Sequence, residues 1–261
     1  NTGINFAYFN QEITSLSFKP NVFNLVRELG GNVVGGQRNT IYSYDFAGLN
    51  EAGLPLFNLK NGSRNYDDIY FQEIDGILSY LKKEGPVEPN ITGGFSNTFR
   101  YKNWELSMLI TAQAGNKIRK PSQYSIYYND LSVFPKEMKN RWVNSGEENV
   151  TNIPAIPSQR TITEIGKAVL EKGYSAYNLS TERVVDGSFI RMKNISLSYT
   201  FDKEVLDQLR LNNLTLRLQA SNPFLIYSDK RLNGQDPEFF RSGGVAYPIT
   251  TQYTLTINVG I

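Results

Sequence analysis

Apolar and polar side chains alternate with a period of two along much of this chain. Ile4, Phe6 and Tyr8 interleave with Asn5, Ala7 and Phe9. Phe95, Phe99 and Tyr101 share a face opposite Ser96, Thr98, Arg100 and Lys102. Trp104, Leu106, Met108, Ile110 and Ala112 share a face opposite Glu105, Ser107, Thr111 and Gln113, with Leu109 breaking the pattern. Later, Ile195, Leu197, Tyr199 and Phe201 oppose Asn194, Ser196, Ser198 and Thr200. Leu214, Leu216, Leu218 and Ala220 oppose Thr215, Arg217, Gln219 and Ser221, and Tyr253, Leu255, Ile257, Val259 and Ile261 oppose Thr254, Thr256 and Asn258. Asn39 to Leu49, with Ile41, Tyr42, Tyr44 and Phe46, is a weaker stretch of the same kind. Successive side chains of a strand point to opposite faces, so the pattern predicts about seven strands. Several reach the ~9–11 residues that cross a bilayer when tilted.

Helical periodicity is scarce and confined to 70–81 and 163–170, each read as a short helix. Connections are uneven. Lys102-Asn103 makes a tight turn and 201–213 a modest one, whereas 50–91, 116–183 and 227–247 are long and rich in Asn, Gly, Pro and Tyr. A compact soluble domain rarely carries several such loops. A membrane barrel with short turns on one side and long loops on the other does so routinely. With every strand reversing direction, 116–183 and 227–247 fall on one side, but 11–37 lands on the turn side and is long for a turn. Aromatics cluster near strand ends, Tyr101 and Trp104 beside one turn and Tyr199 and Phe201 beside another, as an interfacial girdle would place them. A soluble β-sandwich alternates in the same way. The residues alone therefore leave open a soluble β-rich carbohydrate-binding or adhesin-like module.

Composition narrows the chemistry. The 261 residues include no Cys and no His, which removes disulfide scaffolds, thiol nucleophiles, imidazole bases and the usual soft metal ligands. A net charge of +2, from 27 basic and 25 acidic residues, is too even for a nucleic-acid binder. The mean hydropathy of -0.38 and the lack of a long apolar run leave no membrane helix, while strands that alternate never register as such runs. The start, Asn1 to Phe6, has neither a basic segment nor an apolar core and reads as no signal peptide.

Few positions suggest a site. Asp236 and Glu238 flank Pro237 and are candidate substrate or partner contacts, against the alternative of a Pro-stiffened loop. Tyr124, Tyr127, Tyr128 and Trp142 lie in the longest loop and could stack on a ligand, pack on a partner, or form a small local core. Lys117, Arg119 and Lys120 form a basic cluster that would meet lipid phosphates or simply be solvated. Gly30-Gly31 and Gly35-Gly36 read as a flexible connection, since no Lys-Ser/Thr follows to make a phosphate loop. Asp67-Asp68 and Glu147-Glu148 read as solvated loop charges. A carboxylate hydrolase needs two opposed acids on a rigid scaffold, and nothing here points to such a pair.

An ordered set of segments resembles one family. The run Ser180 to Tyr199, STERVVDGSFIRMKNISLSY, resembles the hallmark late-barrel strand of SusC/RagA-like TonB-dependent receptors. In the expected order around it stand Gly48-Leu49 with Gly53-Leu54-Pro55, Gly93 to Lys102, Leu106-Ser107, Arg141-Trp142 with Gly146 and Thr151 to Pro154, Leu216 to Asn222, and Gly234 to Glu238. The resemblance covers essentially the whole chain. It implies an all-β fold: the C-terminal portion of an antiparallel outer-membrane barrel of about 22 strands with long extracellular loops. The plug and the N-terminal strands would lie upstream. Lipid would meet Trp104, Leu106, Met108, Ile110, Leu197, Tyr199, Phe201, Tyr253, Leu255 and Ile257. It further implies a nutrient importer rather than an enzyme, with no cofactor and no metal. Its partners would be the rest of the receptor, a SusD-like surface lipoprotein and TonB acting through the plug. Its cargo would be an oligosaccharide or an oligopeptide. The chain departs from the family at its end, where Ile261 stands in place of the usual aromatic residue.

Overall fold

The computed structural model describes residues 1–129, 131, 133–239 and 250–261. In chain order the strands are β1 (Thr2–Tyr8), β2 (Thr40–Leu49), β3 (Pro55–Asn58), β4 (Arg64–Asn65), β5 (Leu81–Pro86), β6 (Ile91–Tyr101), β7 (Trp104–Ala114), β8 (Lys117–Arg119), β9 (Val184–Asp186), β10 (Phe189–Thr200), β11 (Asn213–Tyr227) and β12 (Gln252–Gly260). The helices are α1 (Val22–Val26), α2 (Gln159–Ile165), α3 (Lys167–Asn178) and α4 (Lys203–Leu209). The chain divides into two units, one of residues 1–9, 89–115 and 187–261, the other of residues 10–88 and 116–186. Among the described residues no helix is long and apolar enough to cross a membrane.

The first unit is a six-stranded antiparallel sheet of order β1-β6-β7-β10-β11-β12. Register carries the alternation from strand to strand. Ile4 faces Phe95, Phe95 faces Ile110, Leu106 faces Leu197, Leu197 faces Leu218 and Leu218 faces Leu255. Directly opposed residues share a face, so one apolar surface runs across all six strands. The β6–β7 turn is two residues long, with Lys102 at φ 51. Register shifts in both the β7–β10 and β10–β11 pairings mark a bulge around Lys193, with Asn222 at φ 49 on β11. A bulge bends a strand and re-aims its side chains.

Six of the expected strands lie in this sheet; the seventh does not. Asn39 to Leu49 does form a strand, β2, but it belongs to the second unit, where it pairs with β3 and β5. Its first five residues are all buried, so the aromatics Tyr42 and Tyr44 are core rather than one face of a barrel wall. This correction removes the misplaced 11–37 turn. Residues 10–90, 115–188 and 228–251 all leave and re-enter at the same end of the six strands. The short connections at 102–103 and 201–212 occupy the other. Part of the last connection, residues 240–249, lies outside the described residues, as do positions 130 and 132 within the expected loop 116–183.

The second unit is a four-stranded sheet of order β4-β3-β2-β5, the β8–β9 pair and helices α1 to α3. Its core joins Tyr44, Phe57, Tyr124, Leu170, Tyr174 and Tyr177 with α1. Both helix expectations shift. Residues 70–81 hold only a single 3₁₀ turn, Ile77–Ser79, because Gly76 takes φ 71 and the following residues pair with β2. The stretch 163–170 straddles α2 and α3, which Gly166 separates at φ 99. Gly30-Gly31 is pinned rather than flexible. Gly31 donates to the Thr40 carbonyl at 2.8 Å and accepts from Thr40 at 2.9 Å, and a Cβ on Gly31 would sit 2.5 Å from the Asn24 carbonyl oxygen.

Since the second unit has its own aromatic core, a single chain joining 10–88 to 116–186 through a short Gly/Ser linker is expected to fold in detergent-free buffer. A cooperative thermal transition by circular dichroism would bear this out. A structureless or aggregated product would show that the core needs the sheet.

Candidate functional site

The sheet presents two chemically different surfaces. On the apolar face Ile4 is 78%, Phe6 70%, Tyr253 76% and Leu255 66% exposed. Of the residues expected to meet lipid, Trp104, Leu197 and Ile257 are also exposed on this face, and Leu106, Met108, Ile110, Tyr199 and Phe201 are half-buried among their neighbours. At the end with short turns the aromatics touch. Trp104 and Tyr199 lie 4.7 Å apart between ring centroids, Tyr199 and Phe201 meet edge-on at 5.0 Å, and Lys102 Nζ sits 5.6 Å from the Tyr101 ring centre. The opposite face is knit by polar contacts. Ser107 and Ser196 share a hydrogen bond of 2.8 Å, Arg217 Nε donates to Ser198 Oγ at 3.2 Å, and Arg100 Nε donates to Glu105 at 2.6 Å.

The Asp-Pro-Glu loop closes onto that polar face. Arg191, opposite Thr111 on β10, is buried and ion-paired with Asp236, and its Nε lies 3.1 Å from Glu238. Lys193, at the bulge, donates to both Glu238 carboxylate oxygens at 2.9 Å. Asp236 Oδ1 also accepts from the Glu238 amide at 3.0 Å. Pro237 is buried between the two acids. The pair of carboxylates thus acts as a clasp on β10, with both charges answered from within the chain. The bulge that displaces Lys193 brings the second cation to Glu238.

In the second unit the four candidate aromatics part company. Tyr124 is buried, edge-on to Tyr177 at 4.9 Å, and its hydroxyl donates to Glu137 at 2.9 Å. Burial and that carboxylate push its hydroxyl pKa up, so it stays protonated. Tyr128 is half-buried against Phe134, its hydroxyl accepting from the Ser125 amide at 3.0 Å. Trp142 donates from its indole to Glu148 at 3.0 Å and packs flat on Gly53. Only Tyr127 is exposed, with Lys167 Nζ 5.3 Å from its ring centre. Three of the four therefore build the loop's own core, and Tyr127 alone offers an aromatic surface. Glu147 stays at the surface of its loop, as expected, accepting the Val143 and Asn144 amides at 2.7 and 3.1 Å.

The expected basic cluster is not a surface patch. Arg119 is buried and donates to the Tyr42 carbonyl at 2.8 Å and Ser43 Oγ at 3.0 Å. Burial lowers its pKa to about 10. Lys120 donates to Glu137 at 2.8 Å, and Lys117 lies 3.9 Å from Asp186. The polar hub of this unit is one that sequence reasoning missed. Glu137 accepts from Lys120, from Tyr124 and from the buried Arg183, whose guanidinium also sits 4.7 Å from the Tyr124 ring centre. Burial pushes the Glu137 carboxyl up, but Lys120 and Arg183 outweigh it and bring the pKa down from 4.5 to about 2. Glu137 and Arg183 are 46 positions apart, so no local pattern pairs them; the one signal was an arginine set in the apolar run that follows it. Arg191 was missed for the same reason.

Two outcomes are expected here. Gly53 holds φ 72 and a Cβ there would lie 2.4 Å from the Trp142 ring. Gly53→Ala is expected to cost on the order of 2–4 kcal/mol. Gly62→Ala, at φ 78 but with nothing near its Cβ, is expected to cost about 1 kcal/mol. Denaturant titration of the two variants measures the difference. For Glu137, the folded-state pKa lies below the ordinary value, so its stabilisation is complete above about pH 4.5 and fades as pH falls towards 2. Glu137→Gln is expected to lose about 3 kcal/mol at neutral pH, and to flatten the fall in stability between those two pH values.

No family model matches the chain. Among curated proteins it is 26% identical over 209 residues to TonB-dependent receptor P39 of Formosa agariphila, covering 74% of this chain and 18% of that protein. It is 27% identical over 226 residues to receptor P26 of the same organism, covering 81% of this chain and 21% of that protein. The chain therefore spans about a fifth of the length of these relatives. Its whole length superposes on 26% of a chain in the RagAB peptide transporter, with a TM-score of 0.69 at 22% identity. It also superposes on the RagAB peptide importer in the closed-closed state, with a TM-score of 0.65. The all-β architecture read from the alternation and the resemblance read from the motifs agree with both comparisons: the chain is similar in sequence to part of TonB-dependent receptors and has the fold of a portion of the RagAB transporter.

Proposed function

We propose that this chain is a length of barrel wall in a TonB-dependent importer of the bacterial outer membrane. The observation that carries this reading is the apolar face, continuous across six strands and open along its whole width, back to back with a hydrogen-bonded polar face. A lipid exterior and a wet lumen demand that pairing. A soluble carbohydrate-binding or adhesin-like module would leave Ile4, Phe6, Tyr253 and Leu255 in water, a patch that soluble proteins rarely tolerate. The ten residues expected to meet lipid do so in this reading. Residues 10–88 and 116–186 then stand as an extracellular domain, and the 228–251 connection is fastened to the lumen side through the Arg191 clasp.

The loops would hold a surface lipoprotein and the cargo, with Tyr127 the exposed aromatic available for contact. Energy would come from TonB through a plug supplied by the rest of the receptor. The cargo is an oligopeptide or an oligosaccharide. The structural neighbours transport peptide, which favours the former. No covalent step is involved. The intact receptor, extracted from outer membranes in detergent, is expected to elute with a lipoprotein and a bound peptide identifiable by mass spectrometry. A bound glycan would switch the cargo. Recovery of the receptor in the soluble fraction would sink the reading.

A further inference from the structure

The short helix α4 is amphipathic, and its apolar side is only partly covered: Leu206 is half-buried, whereas Val205 and Leu209 are exposed. At 100° per residue, Val205, Leu206 and Leu209 fall in one sector about 100° wide, while Lys203, Glu204, Asp207 and Gln208 lie outside it; Arg210 follows as the C-cap at φ 57. None of its seven residues is buried, and Val205 and Leu209 are 37% and 54% exposed. The helix is nonetheless held firmly. The Val205 and Leu206 amides both donate to the Asp202 carbonyl at 3.1 Å, and the Leu211 amide donates to the Leu206 carbonyl at 3.0 Å. Asn103 Nδ2 donates to Asp202 Oδ1 at 2.6 Å, tying the start of α4 to the β6–β7 turn.

That attachment makes α4 continuous with the aromatic edge of the sheet. Phe201, whose amide donates to the Leu214 carbonyl at 3.0 Å and whose ring meets Tyr199 edge-on, leads into the helix from the apolar face; Leu214 resumes the same face after it. Tyr101 and Trp104 flank the Asn103 that clasps Asp202. Aromatic rings collect where hydrocarbon gives way to headgroups, and an amphipathic helix lies in that plane with its apolar side inward. We infer that α4 is an interfacial element. Val205 and Leu209 enter the edge of the hydrocarbon beside the aromatic girdle, while Lys203, Arg210 and Lys102 extend to the headgroups. The helix would thus set the depth at which this side of the wall stops. The inference rests on the membrane-wall reading above.

The test uses the intact receptor in phospholipid vesicles. This chain has no cysteine, so once any cysteine in the rest of the receptor is replaced by serine, single nitroxide labels go in at Leu209→Cys, Asp207→Cys and, as a reference on the sheet, Leu197→Cys. Each label is read for collisions with oxygen, which prefers lipid, and with a water-soluble nickel chelate. The expected result is an oxygen-to-nickel ratio several-fold higher at 209 than at 207, approaching that at 197. A high ratio at 197 with 209 open to nickel means that α4 stands in water, and overturns the inference alone. A high ratio at 197 with 209 shielded from both reagents means that protein covers α4, and also overturns it alone. A low ratio at 197 removes the membrane wall and the inference with it.

Discussion

A strand turns its side chains alternately to two faces, and in this sheet one face is apolar and the other polar. Six strands hold one register, so the choice made at Leu197 is the choice made at Leu106, Leu218 and Leu255. A slip of one residue on any strand would carry its whole apolar set to the polar face. The same constraint explains where irregularity is permitted. The bulge at Lys193 lies between the regular run of the wall and the end from which the long connections leave, and it serves to bring a second cation to Glu238.

The second unit answers a different problem, that of holding long connections in one shape without a sheet of comparable size. It does so with aromatic packing and a few fully answered charges. Glu137 gathers three donors, Lys120 and Tyr124 from the stretch after β8 and Arg183 from the turn before β9, so one carboxylate ties its own segment to one 46 positions later. Trp142 on Gly53 joins two of the motif segments, and the Ala155 amide donates to the Gly53 carbonyl at 2.9 Å beside it. Tyr174 and Tyr177, spaced on one side of α3, reach across to the Ala155 and Asn152 carbonyls at 2.5 and 2.9 Å. Segments that look unrelated along the chain are thus neighbours, which gives a physical reason for their types.

The wall was legible because its signal is local: period two survives in Trp104 to Ala112 and in Ile195 to Phe201 without knowledge of any partner. The loop domain was not. Ile41, Tyr42, Tyr44 and Phe46 alternate as a wall strand would, and only the covering of both faces, Tyr42 and Tyr44 by α1, Phe57 and Tyr177 and Ile41 by Val87 and Val184, distinguishes a core strand. Lys117, Arg119 and Lys120 misled for a related reason. Charge is read from sequence as exposure, yet a guanidinium that finds two carbonyls and a hydroxyl can be buried. The Asp-Pro-Glu acids were visible, but their cations sit 45 positions earlier.

The second unit is discontinuous: residues 10–88 supply α1 and β2 to β5, and residues 116–186 supply α2, α3 and the whole Glu137 hub. Between them the chain makes the β6–β7 hairpin. During synthesis the first half emerges without the Tyr124, Tyr174 and Tyr177 that complete its core, and must wait for the hairpin and then for α3. Closing such a long loop is slow, and the waiting half is exposed to misassociation. The hairpin, in turn, is a loop of the domain as much as the domain is a loop of the wall. Order of assembly is therefore written into the connectivity: neither part finishes before the other has begun.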